Sequence, residues 1–403
     1  MKILKKGIIG FTLILFILGS VYAYFGGLST GDCANTEEFK KYANEVNHLS
    51  IPKDKKIVAL GEATHGNVEF QQLKLEVFQK LVEENDIRAF AIEGDFGGCE
   101  VVNRYIHGQE GSVKEAVAAI GFAIYRTQEM EDLVEWMKSY NQEHNNVLSF
   151  YGYDMQRLSY NYQFLLEKVD GNSDLEKIWD CKNESFSKEY TLNQIEEILN
   201  NVKSELTDPQ AIHCADILLQ NIKLSQVEDL SSQGNILRDQ FMANNTLWIL
   251  AREQEKGNTS IFITGHNGHV AKTGSYEVMG SILSDTLSED YFVIGTDFYK
   301  SSCNLPRGND GKRENHTFYS HDPLAKASKK AGFEKSYLDF SKIDRNTELY
   351  KTITSPLWMG SLGEYYNFFY MNLLPMTYRI KNIPQAMYDS MIFVSEAHPT
   401  ELR

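Results

Sequence analysis

The chain has 403 residues, 42 % of them apolar, and a formal net charge of −15. This length and composition support a large core, or a core plus a lobe, and exclude a disordered chain. Residues 1–30 carry Lys2, Lys5 and Lys6 and no acid, so the remainder holds −18, a surface that repels nucleic acid and anionic headgroups and suits a neutral or cationic substrate.

The N-terminus reads as a targeting segment, residues 1–30. Met1–Lys6 is basic, Gly7–Tyr24 is apolar and uncharged, and Val21-Tyr-Ala23 has the residue types that a signal peptidase checks. Two outcomes stay open: cleavage after about Ala23, or retention as one membrane anchor of about 18–20 residues. The lysines precede the span, so the body is expected to be secreted or anchored to the outer face of the cytoplasmic membrane. Cys33, Cys99, Cys181, Cys214 and Cys303 include no Cys-x-x-Cys pair, which argues against a zinc–cysteine site. Export permits disulfides. Cys181 and Cys214 flank two helical stretches and are the expected pair, the alternative being buried thiols.

Asn35–Asn47 reads as a short helix and Ile57–Leu60 as the first strand. After the turn Gly61–Gly66, the spacing of Phe70, Leu73, Val77, Phe78 and Leu81 predicts a helix that packs on a sheet. Ala89–Ile92 is a second buried strand, followed by helices around Glu100–Ile106, Val113–Ala119 and Glu129–Asn141. Val147–Tyr151 is the third strand. From Leu158 to Lys256 the strand signal vanishes, and residues 158–256 are expected to form an all-helical lobe inserted into an α/β domain of residues 31–157 and 257–403. Ser260–Thr264 and Tyr291–Ile294 are further strands. Ser301–His321, polar and glycine-bearing, reads as a surface loop or lid, and strands are expected at Ser336–Phe340 and Ser390–Val394. The alternation predicts a mostly parallel central sheet wrapped by helices.

The chemistry gathers where strands end: Glu62 and His65 after the first, Glu93 after the second, Asp154 after the third, His266 and His269 after the fourth. In a parallel sheet such ends share one edge, so the set could line one pocket. Each member alone has a bland reading, a helix cap or a satisfied ion pair. Together they suit hydrolysis: a neutral imidazole oriented by a carboxylate activates water, and a second imidazole polarises a carbonyl or protonates the leaving alkoxide. No Gly-x-Ser-x-Gly elbow is present, so direct attack by water is expected over an acyl-enzyme. The rival is a metal-dependent hydrolase with Glu62, His65, Glu93 and His266 as ligands, although His-Glu-x-x-His is absent. A third reading is a non-catalytic surface polysaccharide binding or biosynthesis protein, resting on the aromatic-rich stretch Trp358–Tyr370.

At these residues the chain resembles the erythromycin esterase family, which includes succinoglycan-biosynthesis-like members. The matching stretches are Leu60-Gly-Glu-Ala-Thr-His-Gly66 with Glu69-Phe70, Phe90-Ala-Ile-Glu-Gly94, Tyr125-Arg-Thr127 leading to Leu133-Val-Glu-Trp136, and Phe150-Tyr-Gly-Tyr-Asp-Met-Gln156. Arg238-Asp239 followed by Met242, Asn245 and Leu247-Trp248 also fits, as does His266-Asn-Gly-His-Val270. The likeness spans roughly residues 50 to 395. It implies that His65 is the base activating water against a macrolide lactone or related ester, that Glu62 and Glu93 support it, and that His266 is the second essential histidine. Lys74, His269 and Asp154 are the expected substrate-binding positions. The family often has arginine where this chain has Lys74, which keeps the charge and loses the bidentate fork. No cofactor is implied; the expected partner is a small ester or lactone, with membrane attachment through the N-terminal segment.

Overall fold

The structure, a computed structural model, describes residues 10–20, 32–169, 173–228, 232–308, 310–367, 371 and 374–403. The basic start Met1–Lys6, the cleavage position at Val21–Ala23 and residues 368–370 of the aromatic-rich stretch lie outside these. Residues 10–20 are helical and exposed. Among the described residues no helix is long and apolar enough to cross a membrane.

The architecture is mixed α/β, with a mostly parallel central sheet and many helices. In chain order the strands are β1 (Ala43–Glu45), β2 (Ile57–Glu62), β3 (Ala89–Asp95), β4 (Ser149–Asp154), β5 (Trp179–Asp180), β6 (Ser185–Phe186), β7 (Ile261–His266), β8 (Tyr291–Pro306), β9 (Arg313–Tyr319), β10 (Lys335–Asp339), β11 (Leu357–Gly360), β12 (Arg379–Asn382) and β13 (Ser390–Ala397). The chain divides into two compact units. The first comprises residues up to Ser50, Glu62–Phe70 and Ile294–Thr400; the second comprises Ile51–Gly61, Gln71–Val293 and Glu401–Arg403.

In the second unit the strands follow the order β2-β7-β3-β4. β3 runs parallel to both neighbours, placing Phe90 opposite Phe262 of β7 and Phe150 of β4. Strands covered on both faces need continuous apolar runs, which Ala89-Phe-Ala-Ile92 and Ile261-Phe-Ile263 supply. The helix Val68–Glu84 turns its expected stripe inward, and Leu73, Val77, Phe78 and Leu81 are all buried. Phe78 stacks on Phe262 at 5.8 Å and meets Trp136 of the helix Gln128–Glu143 edge-on at 5.7 Å. Asp95 at the end of β3 caps the helix Phe96–Ile106 by accepting from Gly98 N at 2.6 Å. Residues 158–256 supply the helices Ser159–Lys168, Ser173–Lys177, Leu192–Glu205, Pro209–Ser225 and Gln233–Glu255, with the two-residue pair β5–β6 between them.

The expected Cys181–Cys214 disulfide does not form, and none of the five cysteines is bridged. Cys181 is exposed just after β5, whereas Cys214 is fully buried in the helix Pro209–Ser225. Flanking the same helices in sequence does not bring two Cβ atoms to bridging distance.

In the first unit the order is β1-β10-β13-β8, with β9 on β8. β13 and β8 are parallel, and the pairs β1–β10, β10–β13 and β8–β9 are antiparallel. The first helix stops at Tyr42, short of the expected Asn47, because Ala43–Glu45 pairs with Ser336–Leu338 as β1. Ser301–His321 is not a loop: β8 continues to Pro306 and β9 returns beside it, Ser301 opposite Phe318 and Cys303 opposite His316. The inward residues Ser301, Cys303 and Leu305 alternate with less buried ones, so this is a period-of-two strand with small polar residues facing in. In the aromatic-rich stretch, Trp358 lies on β11 opposite Lys381 of β12, and Tyr366 is buried.

Gly98 lies against the turn after the helix Val113–Ala119, and a Cβ there would sit 1.8 Å from Ala119 O. The obstacle is backbone and cannot rotate away. Gly98→Ala is expected to cost about 1–3 kcal/mol; denaturant unfolding that shows a loss below about 0.5 kcal/mol would refute this account of the packing.

Candidate active site

β2 delivers Glu62, and the chain reaches the helix Val68–Glu84 through five residues. In the first unit this turn is pinned throughout. Ala63 N donates to Thr296 Oγ1 at 2.9 Å, and Thr64 Oγ1 donates to His65 O at 2.9 Å. Asn67 Nδ2 donates to Ser302 O at 2.8 Å and His398 O at 3.1 Å, while its Oδ1 accepts from Ser301 Oγ at 3.0 Å. Gly66 has a φ of +89°, and a Cβ there would approach Asn304 O to 2.6 Å, so glycine alone suits the position. The result is a close pair: His65 Nδ1 lies 2.8 Å from Glu62 Oε1, with both residues buried. A carboxylate only accepts, so Nδ1 carries the shared proton and the imidazole lone pair falls on Nε2. Cys303 is packed beside the turn, its Sγ 3.0 Å from Ser301 Oγ, and burial pushes its thiol up to about 11.

The second unit brings three strand ends together. β7, β3 and β4 are parallel neighbours, so His266, Glu93 and Asp154 stand at their carboxyl ends. Arg238, from the helix Gln233–Glu255, binds both acids: Nη2 donates to Glu93 Oε1 at 2.8 Å, and Nε donates to Asp154 Oδ2 at 2.9 Å. Burial would lower the arginine's pKa, but Asp154 and Glu93 raise it further still. The other oxygen of Glu93 accepts from His266 N at 3.0 Å. The imidazole of His266 accepts from Gly268 N through Nδ1 at 3.2 Å, so a neutral ring carries its proton on Nε2. His269 Nδ1 lies 2.7 Å from Asp239 Oδ1, and Asp239 is itself held by Tyr276 Oη at 2.9 Å and Met279 N at 3.0 Å. Burial lowers the His269 pKa, but Glu93 and Asp239 outweigh that effect and the adjacent Arg238, leaving it above the ordinary value.

The expected site residues thus fall into bonded sets. Glu62 and His65 form one pair. Glu93, Asp154, His266 and His269 form a cluster built around Arg238. Two of the expected substrate contacts are buried supports instead. Asp154 has no exposed surface and spends its carboxylate on Arg238 and on Gln156 N at 2.7 Å. Lys74 is 1 % exposed, donates to Gln71 Oε1 at 2.7 Å and lies 5.2 Å from the centre of the Tyr125 ring. Sequence patterning does not single out Arg238, Asp239 or Tyr276 as site residues. The available signal was two acids at neighbouring strand ends without a cation, and an Arg-Asp pair inside an otherwise ordinary helix. Among the described residues, no group of three or more His, Cys, Asp or Glu side chains is disposed to hold a metal ion. Burial also raises the Cys99 thiol well above its ordinary pKa, with Asp95 and Asp154 adding to the shift, so neither it nor Cys303 is an activated thiolate.

The sequence model of the erythromycin esterase family matches residues 82–397. Erythromycin esterase type II of Escherichia coli is 23 % identical over 295 residues, covering 61 % of this chain and 70 % of the relative. The putative hydrolase YbfO of Bacillus subtilis (strain 168) is 22 % identical over 305 residues, covering 62 % of this chain and 67 % of the relative. The fold is shared with solved structures, among them the two that follow. A succinoglycan biosynthesis protein superposes with a TM-score of 0.75 at 20 % identity, covering 91 % of this chain and 98 % of that one. A mutant of the erythromycin esterase EreC in its open conformation gives 0.60 at 16 % identity, covering 87 % and 92 %. With a family match over most of its length and this arrangement of acids and histidines, the chain belongs to the erythromycin esterase family.

Proposed function

We propose that the protein is a hydrolase that attacks an ester or a macrolide-like lactone with water activated by His65. The observation that carries this reading is the buried 2.8 Å bond between Glu62 and His65, which directs the ring's lone pair to Nε2. In the reaction, Nε2 takes a proton from water as the water oxygen bonds to the carbonyl carbon. The carbonyl π electrons move onto oxygen and give a tetrahedral oxyanion. On collapse the C–O bond to the alcohol breaks, and the leaving alkoxide takes the proton back from the imidazolium. Products are a carboxylic acid and an alcohol, and the base is regenerated. Glu62 orients the ring and stabilises its charged form.

His266, with its proton on Nε2, carries the kind of donor that an oxyanion requires. Glu93 holds the His266 backbone, and Arg238 holds Glu93. Asp154 and Lys74 act as supports beneath the chemistry, and His269 remains a candidate substrate contact. The raised thiol pKa values of Cys99 and Cys303 favour direct attack by water over a thioester intermediate. We further propose that the N-terminal segment holds the body at the outer face of the cytoplasmic membrane. Phe11 and Leu13–Leu18 present apolar side chains more than half exposed, a surface suited to lipid.

Hydrolysis of a panel of carboxylic esters and macrolides tests the reading. His65→Ala and Glu62→Gln are expected to lose about 10²–10⁴-fold in kcat with the fold retained. If His65 and His266 serve one reaction, the double alanine variant is no slower than the worse single variant, whereas multiplied losses would separate them. Activity is expected to survive EDTA dialysis; its loss, restored by zinc or manganese, would favour the metal-dependent reading.

Arg238→Ala leaves two buried carboxylates without their cation and is expected to cost about 3–5 kcal/mol of unfolding free energy. A loss under about 1 kcal/mol by denaturant titration would show that the triad is not a structural anchor.

For the anchor, fractionation of cells that express the full chain should place it in the membrane pellet, and deletion of residues 1–30 should release it. An intact chain that is wholly soluble would overturn that assignment.

A further inference from the structure

In the second unit, residues 271–278 join the short helix Asn267–Val270 to the helix Met279–Leu287. Thr273, Gly274, Ser275 and Glu277 are exposed, yet Tyr276 between them is half-buried. Its Oη donates to Asp239 Oδ2 at 2.9 Å. Burial, and then the neighbouring Asp239, hold the phenol well above its ordinary pKa, so it stays protonated and remains a donor. Asp239 has no exposed surface, and an oxygen of a buried carboxylate is costly to leave unmet. On the other oxygen, Oδ1, Met279 N donates at 3.0 Å and His269 Nδ1 lies 2.7 Å away. Tyr276 therefore fixes the twist of a carboxylate that in turn fixes a histidine.

A carboxylate only accepts, so His269 Nδ1 carries the proton that faces Asp239. In the neutral ring Nε2 is then an acceptor, and Arg238 Nη1 donates to it at 3.3 Å. Glu93 Oε1 lies 3.6 Å from the same nitrogen. Once protonated, Nε2 can no longer accept from Arg238 and donates towards Glu93 instead. Glu93 already accepts from Arg238 through Oε1 and from His266 N through Oε2. A change of state at His269 therefore reaches the His266 backbone, and the two rings have their centres 6.3 Å apart. The titratable and charged groups around His269 are Arg238 and Asp239 from the helix Gln233–Glu255, Glu93 from β3, Asp154 of β4 behind Arg238, His266, and the Tyr276 phenol. We propose that Tyr276 is a positioning residue: by donating to Asp239 it holds the His269 ring with Nδ1 on the acid and Nε2 on Arg238, which leaves Glu93 to seat His266. The proposal rests on the reading that His266 serves the hydrolysis.

NMR of the full chain labelled with ¹⁵N-histidine, with His269 assigned through His269→Asn, tests the proposal alongside the pH profile of hydrolysis. In the unaltered protein the neutral His269 ring should carry its proton on Nδ1; a ring protonated on Nε2 overturns the proposal whatever the variants do. Tyr276→Phe keeps the aromatic ring and removes the donor. The charge of Asp239 then gathers on the oxygen that faces His269, and the His269 pKa should rise by about 0.3–1 pH unit, the effect of one hydrogen bond felt through a carboxylate. The acid limb of kcat should move up with it, because more of the ring is protonated at a given pH. Glu277→Ala is the control. It frees Gln240 Nε2, which donates to Glu277 Oε2 at 3.1 Å from the same helix as Asp239, without touching Asp239 itself, and should leave both readouts unchanged. The proposal is overturned if His269 in folded Tyr276→Phe titrates as in the unaltered protein, or if Glu277→Ala shifts it equally, which would make Tyr276 a tether of the segment and nothing more. It is also overturned if His269 shifts while the acid limb of an active enzyme stays in place. If His269 shifts as expected and no ester or macrolide is turned over, the hydrolytic reading fails while the placement of His269 by Tyr276 stands.

Discussion

Arg238 is the residue on which the second unit's strand ends depend. Glu93 and Asp154 stand at the ends of adjacent parallel strands, one nearly and one completely buried. Two such carboxylates repel each other, and each loses its hydration on burial. A single guanidinium answers both because its planar fork can donate in two directions at once. That requirement constrains the helix Gln233–Glu255, which must present residue 238 at the strand ends. Further bonds hold it there: Asn245 donates to Tyr153 O, and Glu253 accepts from Tyr151 Oη at 2.6 Å. The helix is thus tied to β4 at Asp154, Tyr153 and Tyr151. The family motif Arg238-Asp239 with Asn245 is a description of that tie, with Asp239 holding His269 on the helix's other contact.

His65 and His266 are set in opposite senses by their second partners. On His65 a carboxylate takes the Nδ1 proton, which leaves Nε2 basic. On His266 a backbone N–H donates to Nδ1, which makes Nε2 the proton carrier. Identical side chains thereby become an acceptor and a donor through one hydrogen bond each. Neither partner bond would survive a loose turn. The Asn67 and Gly66 contacts fix the first, and the close packing of Asn267 against Gly61, where a Cβ would lie 2.1 Å from Asn267 Oδ1, constrains the chain beside the second.

Much of this was legible in the sequence because strands buried on both faces announce themselves as unbroken apolar runs, and an acid or histidine directly after such a run has few places to go. Glu62, His65, Glu93, Asp154 and His266 were readable on that ground. Arg238 was not, since helical spacing in a largely buried helix does not say which polar residue turns inward. Asp154 was placed near substrate by its position at a strand end, and Lys74 by the family's arginine position; both are buried, each held by neighbouring polar or aromatic groups. The β8–β9 pair was hidden by its polar composition: in late β8, Ser301, Cys303 and Leu305 face in and Ser302 and Asn304 are less buried, a period of two that an apolar count does not register. The absent disulfide marks a different limit: spacing along a chain carries no information on the direction of a Cβ.

Family membership and substrate choice rest on different parts of this molecule. The matched motifs are mostly buried groups whose partners are other buried groups, and such sets change only together, because removing one member strands the rest. Substrate contacts are made by side chains at the rim, where water can replace a lost partner and single changes are cheap. Lys74 shows the boundary between the two regimes. Its ammonium donates to the Gln71 amide oxygen and lies over the face of Tyr125, in a site that leaves it 1 % exposed. A side chain so enclosed answers first to its neighbours, so a substitution there is limited by packing and pairing before any substrate can limit it.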